Sequence, residues 1–107
     1  VANDKSLSDD NAPKPGEGPS KEERENGFYD VLFTGEHENG ERFSASVAGY
    51  LDPGYGSTSR MITESAICLG QKQASIKGGF YTSAPALGSD LIERLQDKAG
   101  LVFKIES

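Results

Sequence analysis

Two runs rich in β-branched and aromatic residues, FYDVLFTG from Phe28 and RFSASVAGYL from Arg42, lie on either side of Asn39-Gly40. Asn-Gly is the favoured pair for a two-residue type I′ hairpin, because both positions need positive φ. With Glu38 and Glu41 flanking that turn, Leu32 is expected opposite Val47, and Phe33 opposite Ser46. This register puts Phe28, Leu32, Phe43, Ala45, Val47 and Leu51 on one face and Tyr29, Val31, Phe33, Ala48 and Tyr50 on the other. Neither face is polar, so the hairpin is expected to be covered on both sides.

Past the hairpin the period changes. Met61, Ile62, Ala66 and Leu69, with small Ser65 beside them, repeat at helical spacing from Gly56 or Ser57 to Gly70. Residues 71–85 have no clear period; Gly78-Gly79 interrupts them, and FYT from Phe80 is a candidate short strand. A second helix follows, capped by Ser83 or restarted at Ser89, with Leu87, Leu91, Ile92, Leu95 and Ala99 inward. Gly100 fits the left-handed position after a helix and Leu101 the hydrophobic contact that follows it. LVFKIE then closes as a strand. The order strand, strand, helix, loop, helix, strand predicts an α+β fold: a mostly antiparallel sheet with two helices packed on it.

The first 26 residues hold no aromatic side chain and three of the five prolines. Residues 1–18 are expected to form a flexible arm or linker, because they cannot bury enough apolar surface to offset ordering. Residues 19–107 form the α+β domain. Ser20 and Glu23 have the spacing of a capping box for a short helix over PSKEEREN.

The formal charge of −6 and pI near 4.7 argue against binding a phosphate backbone, so nucleic acid is set aside as a partner. One cysteine, Cys68, and one histidine, His37, give neither an internal disulfide nor a zinc cluster, and point to a reducing, cytoplasmic setting. No apolar run approaches the ~20 residues of a membrane span. Cys68 reads as a small packing residue and His37 as a loop side chain. Glu64, Glu93 and Asp97 fall on polar helix faces, with nothing to pair them as acid and base. Arg94, four residues after Asp90, suggests a solvent-facing ion pair.

The stretch LDPGYGSTSR, from Leu51, has the outline of a phosphate-binding turn. A dinucleotide fingerprint needs a third glycine, a parallel crossover and an acidic residue about 20 positions on. Here Ser59 stands third, the preceding strand belongs to a hairpin, and the later residues are GGFYTS. Two readings remain. In one, Asp52-Pro53-Gly54 makes a turn and Ser57 or Thr58 caps the helix. In the other, the free amides of the helix start, with Asp52, Gly54, Tyr55, Gly56, Ser57, Thr58 and Arg60 around them, meet a substrate carboxylate or phosphate. No residue is assigned to catalysis, to a cofactor or to a metal.

Three blocks in order, PKPGEGPSKEERENGFYDVLFTGE, DPGYGSTSRMITESAICL and GGFYTSAPALGSDLIERLQDKAGLVFKI, resemble the C-terminal end of the saccharopine dehydrogenase-like oxidoreductases. That group includes the trans-acting enoyl reductases. The resemblance implies a domain on the substrate side of an NAD- or NADP-dependent enzyme. It also implies a missing N-terminal Rossmann domain, a homodimer, and no activity in the chain alone. Two rivals stand beside it: a free-standing binding or dimerisation module, and a small enzyme using Tyr55, Ser57 and Arg60.

Overall fold

The computed structural model describes residues 13–106. The first twelve residues of the expected arm lie outside the described residues. The remainder of it makes a turn, where Glu17 N–H donates to Lys14 O at 3.0 Å. Helix α1 (Lys21–Asn26) leads into strands β1 (Tyr29–Glu36) and β2 (Arg42–Gly49). Helix α2 (Gly56–Lys72) follows, prolonged by a 3₁₀ turn over Gln73–Ser75, then helix α3 (Ser83–Lys98) and strand β3 (Leu101–Ile105). The sheet order is β1-β2-β3, both pairs antiparallel, which is the expected α+β architecture. Residues 80–82 are not a strand; they lead irregularly into α3.

The capping box of α1 is present in both directions: Glu23 N–H donates to Ser20 Oγ at 3.2 Å and Ser20 N–H to Glu23 Oε2 at 2.7 Å. The Ser20 backbone N–H first, and then its hydroxyl, hold the Glu23 carboxyl below its ordinary range.

The hairpin register differs from the expected one by a single residue. His37 N–H donates to Glu41 O at 2.8 Å and Gly40 N–H to His37 O at 2.8 Å. The loop therefore has three residues, Glu38 to Gly40, with Gly40 in the left-handed position at φ 83°. Leu32 now faces Ser46, and Phe33 faces Ala45. A one-residue shift moves every side chain of one strand to the opposite face relative to the other. Two mixed faces become one apolar face, with Tyr29, Val31, Phe33, Phe43, Ala45 and Val47, and one largely polar face, with Asp30, Thr34, Ser44 and Ser46. On the apolar side β3 adds Leu101, Phe103 and Ile105.

The helices cover only part of that face. Buried Leu87, Leu91 and Leu95 of α3, and Ala99 at its C-cap, pack with Cys68 and Leu101, and Val47, Met61 and Phe103 lean on this core. Gly88, at φ 56°, breaks α3 after its first turns, so the helix restarts at Ser89 with Leu91 in line; the N-cap is Thr82. Gly100 takes the left-handed position as expected, at φ 72°. Ile92 is exposed. Helix α2 is rotated from its expected orientation: it buries Ser57 and Cys68, whereas Ile62, Ala66 and Leu69 face outward. The physical reason is an ionic seam between the helices. Arg94 Nε donates to Glu64 Oε2 at 2.5 Å, where both side chains are mostly buried, and Arg94 also reaches Gln71. Lys72 pairs with Asp90, so the Asp90–Arg94 pair expected within α3 is replaced by two pairs across to α2.

Candidate functional site

The turn between β2 and α2 is organised by one carboxylate. Asp52 Oδ1 accepts from Gly54 N–H at 2.9 Å, and Oδ2 from Tyr55 N–H at 3.1 Å and Gly56 N–H at 2.5 Å. The first amides of a helix have no partners within it and carry its positive dipole end. Here Asp52 takes the first two, Gly56 N–H through Oδ2 and Ser57 N–H through its own backbone carbonyl at 2.8 Å. Neither Ser57 nor Thr58 caps α2: Ser57 is buried and bonded to Tyr29 Oη at 2.7 Å, while Thr58 Oγ1 donates to Pro53 O at 2.6 Å. The signal available in the sequence was Asp52 itself, since an aspartate opening a turn bonds readily to amides two to four residues on.

The same turn is fastened to α1. Asp52 N–H donates to Arg24 O at 3.1 Å, and Gly27 lies against the Asp52 backbone. The Tyr29 ring lies over Gly49 and carries its hydroxyl to Ser57. Gly18 rests on the Tyr55 ring, closing a small cavity lined by Glu17, Pro19, Arg24 and Ser59. Of the candidate residues, Asp52, Gly54, Tyr55, Gly56, Ser57 and Thr58 come together here, and Arg60 is exposed on α2. Among the described residues no group of three or more His, Cys, Asp or Glu could hold a metal ion.

The amide bonds, that of Gly56 first, hold the Asp52 carboxyl below its ordinary 3.8. It therefore stays ionised and is a poor proton donor or acceptor near neutrality. A depressed folded-state value contributes stability above the unfolded value and loses it as the pH falls through the folded one. Asp52→Asn should melt below the wild type at about pH 7, and the gap should shrink by about pH 3. Glu23 acts in the same direction but is common to both proteins. A gap independent of pH would show that the charge of Asp52 does not act in the turn.

The Gly54, Tyr55 and Gly56 amides, which a dinucleotide pyrophosphate uses in a glycine fingerprint, are bonded here to Asp52, and Ser59 stands at the position of the third glycine.

A second concavity opens at the other end of α2. The outward residues Ile62, Ala66 and Leu69, with Ile76, Tyr81 and Ala86, line an open cleft of about 530 Å³. The helical spacing of these α2 positions predicts an inward-facing stripe, and the structure turns most of it outward. Tyr81 Oη donates to Lys77 O at 2.8 Å, bracing the Gly78-Gly79 loop at the rim. Gln73, Lys77, Thr82 and Ser83 also line it, and no carboxylate or imidazole does.

Comparison with known proteins gives the chain a context. A Mycobacterium tuberculosis protein provisionally named a trans-acting enoyl reductase is 40% identical over 85 residues, which are 78% of this chain and 20% of that protein. A trans-acting enoyl reductase of Mycobacterium ulcerans is 38% identical over 85 residues, with the same shares. One from Mycobacterium bovis is 35% identical over 93 residues, 85% of this chain and 22% of that protein. The chain is similar to a segment of the trans-acting enoyl reductases. It spans about a fifth of their length. No family model and no solved structure matches the chain. Among the described residues no helix is long and apolar enough to cross a membrane.

Proposed function

We propose that this chain is the C-terminal, substrate-side and subunit-contact portion of a cytoplasmic, NAD- or NADP-dependent oxidoreductase of the saccharopine dehydrogenase-like type. In this reading the Rossmann domain and the hydride transfer belong to the rest of a longer protein. The observation that carries it is similarity to a fifth of the enoyl reductases together with a glycine turn whose amides are already satisfied by Asp52. Asp52, Gly54, Tyr55 and Gly56 then act as a clamp tying β2, α1 and α2 together. The apolar cleft beside Leu69 would take the aliphatic part of an enoyl-type substrate, and a homodimer would complete the fold.

The test is a titration of the isolated chain with NADH and NADPH, followed by fluorescence and calorimetry. No saturable signal is expected, whereas a protein of the relatives' full length should bind one of the two. Micromolar binding by the chain itself would overturn this reading. A second reading, a non-enzymatic dimerisation module, draws on the exposed Val31, Phe33 and Phe43; it predicts no dinucleotide binding even in the longest natural form.

A further inference from the structure

The two edges of the sheet are built differently. The edge formed by β3 is five residues long, Phe103 N–H is directed at Gln96 Oε1 at 3.4 Å, and Lys104 sets a charge on the strand. The edge formed by β1 is eight residues long and contains no Lys, Arg or Pro. Its outward groups follow from the turn. Because His37 N–H bonds to Glu41 O, the odd-numbered residues of β1 bond to β2, and Asp30, Leu32 and Thr34 turn their amides and carbonyls away from the sheet. No described residue meets them. Val31, Leu32 and Phe33, at 43%, 64% and 56% exposure, flank this open row of donors and acceptors. Soluble proteins guard such edges with charge, proline or a bulge, and this one has none of these at its centre.

We propose that β1 pairs antiparallel with β1 of a second copy, about a two-fold axis at Leu32, to form a continuous six-stranded sheet. The register follows from charge and parity. Centring on Phe33 would set Asp30 against Glu36 of the second copy, two like charges. Centring on Leu32 sets Asp30 against Thr34, a carboxylate against a hydroxyl, and Val31 against Phe33, two apolar side chains. Both registers pair the outward even-numbered residues with one another, so charge decides between them, and in the chosen one Leu32 forms a hydrogen-bonded pair with its own copy. An isologous contact of this kind closes at two copies. The inference rests on the subunit contact in the reading above, and its failure would leave the dinucleotide titration unaffected.

The experiment is amide exchange on the 107-residue chain over a wide concentration range, with mass followed by analytical ultracentrifugation. The amides of Asp30, Leu32 and Thr34 should slow by at least about tenfold as the dimer forms, while those of β2 stay unchanged. Leu32→Pro removes an outward donor that the β1–β2 ladder does not use, and should return the chain to a monomer. Leu32→Lys keeps every backbone group and sets two charges together at the axis, with the same expected result. A monomer at every concentration overturns the proposal. So does a dimer in which the three amides stay fast, or one that survives Leu32→Lys. Slow exchange at all concentrations would mean that a strand of the same polypeptide occupies the edge, which also overturns it.

Discussion

Leu91→Ala is expected to cost about 3 kcal/mol, a large part of the roughly 5–10 kcal/mol that holds a domain of this size together. Leu91 is buried in the centre of the α3 face, between Leu87 and Leu95 and among the residues that join Cys68 to Leu101. Truncation removes its transfer energy and leaves a void that neighbours on two helices and a strand cannot all fill. Gly88 sharpens the effect, because the broken first turns of α3 are aligned with the rest through Leu87 and Leu91 rather than by a continuous helix. Urea midpoints measure the loss. Ile92→Ala, one position on and 43% exposed, is the control and should stay within about 0.5 kcal/mol. Equal losses at the two positions would mean that α3 is rolled from the orientation described.

The second large effect is expected at a residue that makes no hydrogen bond through a side chain. Gly27 has φ −66° and ψ 155°, a conformation open to any amino acid, so its glycine is not a matter of backbone strain. The reason is proximity: a Cβ there would lie 2.6 Å from both N and Cα of Asp52. A backbone cannot step aside as a side-chain tip can. Gly27→Val must separate α1 from the start of α2, breaking the Asp52 N–H to Arg24 O bond, and should cost about 3 kcal/mol. Exchange at the Gly54, Tyr55 and Gly56 amides should accelerate beyond what the global loss explains. Unaltered exchange there would show that the clamp on α2 does not depend on α1.

Much of the architecture was legible because strong local signals agreed with the fold. Ser20 with Glu23, the leucines of α3 and the Gly100-Leu101 stop each carry a local physical signal, and each occupies its expected place. The failures share a cause. A Gly in the left-handed position ends both a two-residue and a three-residue hairpin loop, so Asn39-Gly40 could not reveal that Glu38 belongs to the turn. That single residue decided which side chains share a face. In α2, hydrophobicity marked Ile62 and Leu69 as well as Met61, but only Met61 of these leans on the core; the inward side otherwise uses Ser57, Cys68 and Glu64, small or charge-paired residues that carry little apolar signal. The partner of Arg94 lies thirty positions away, beyond any local rule. For the turn at Asp52 the residues were visible, but whether its amides were free was a matter of three-dimensional geometry.

The one-residue register of the hairpin also bears on how errors are corrected during folding. A hairpin forms in about 1–10 μs from local contacts, well before β3 can reach β2 across both helices. Two pairings one residue apart are nearly matched locally, since each sets aromatic and β-branched side chains against each other. They part company only when β3 arrives. In the native pairing the side of the hairpin joined by Leu101 and Phe103 carries the apolar residues of both strands; in the shifted one, β1 would turn Asp30 and Thr34 toward the helices and Val31 and Phe33 to the solvent side. Closure of the third strand therefore acts as a late checkpoint: a slipped hairpin gains little from it and reopens, whereas the correct one is locked. Refolding should accordingly show a fast hairpin step whose wrong products disappear at the rate of β3 docking.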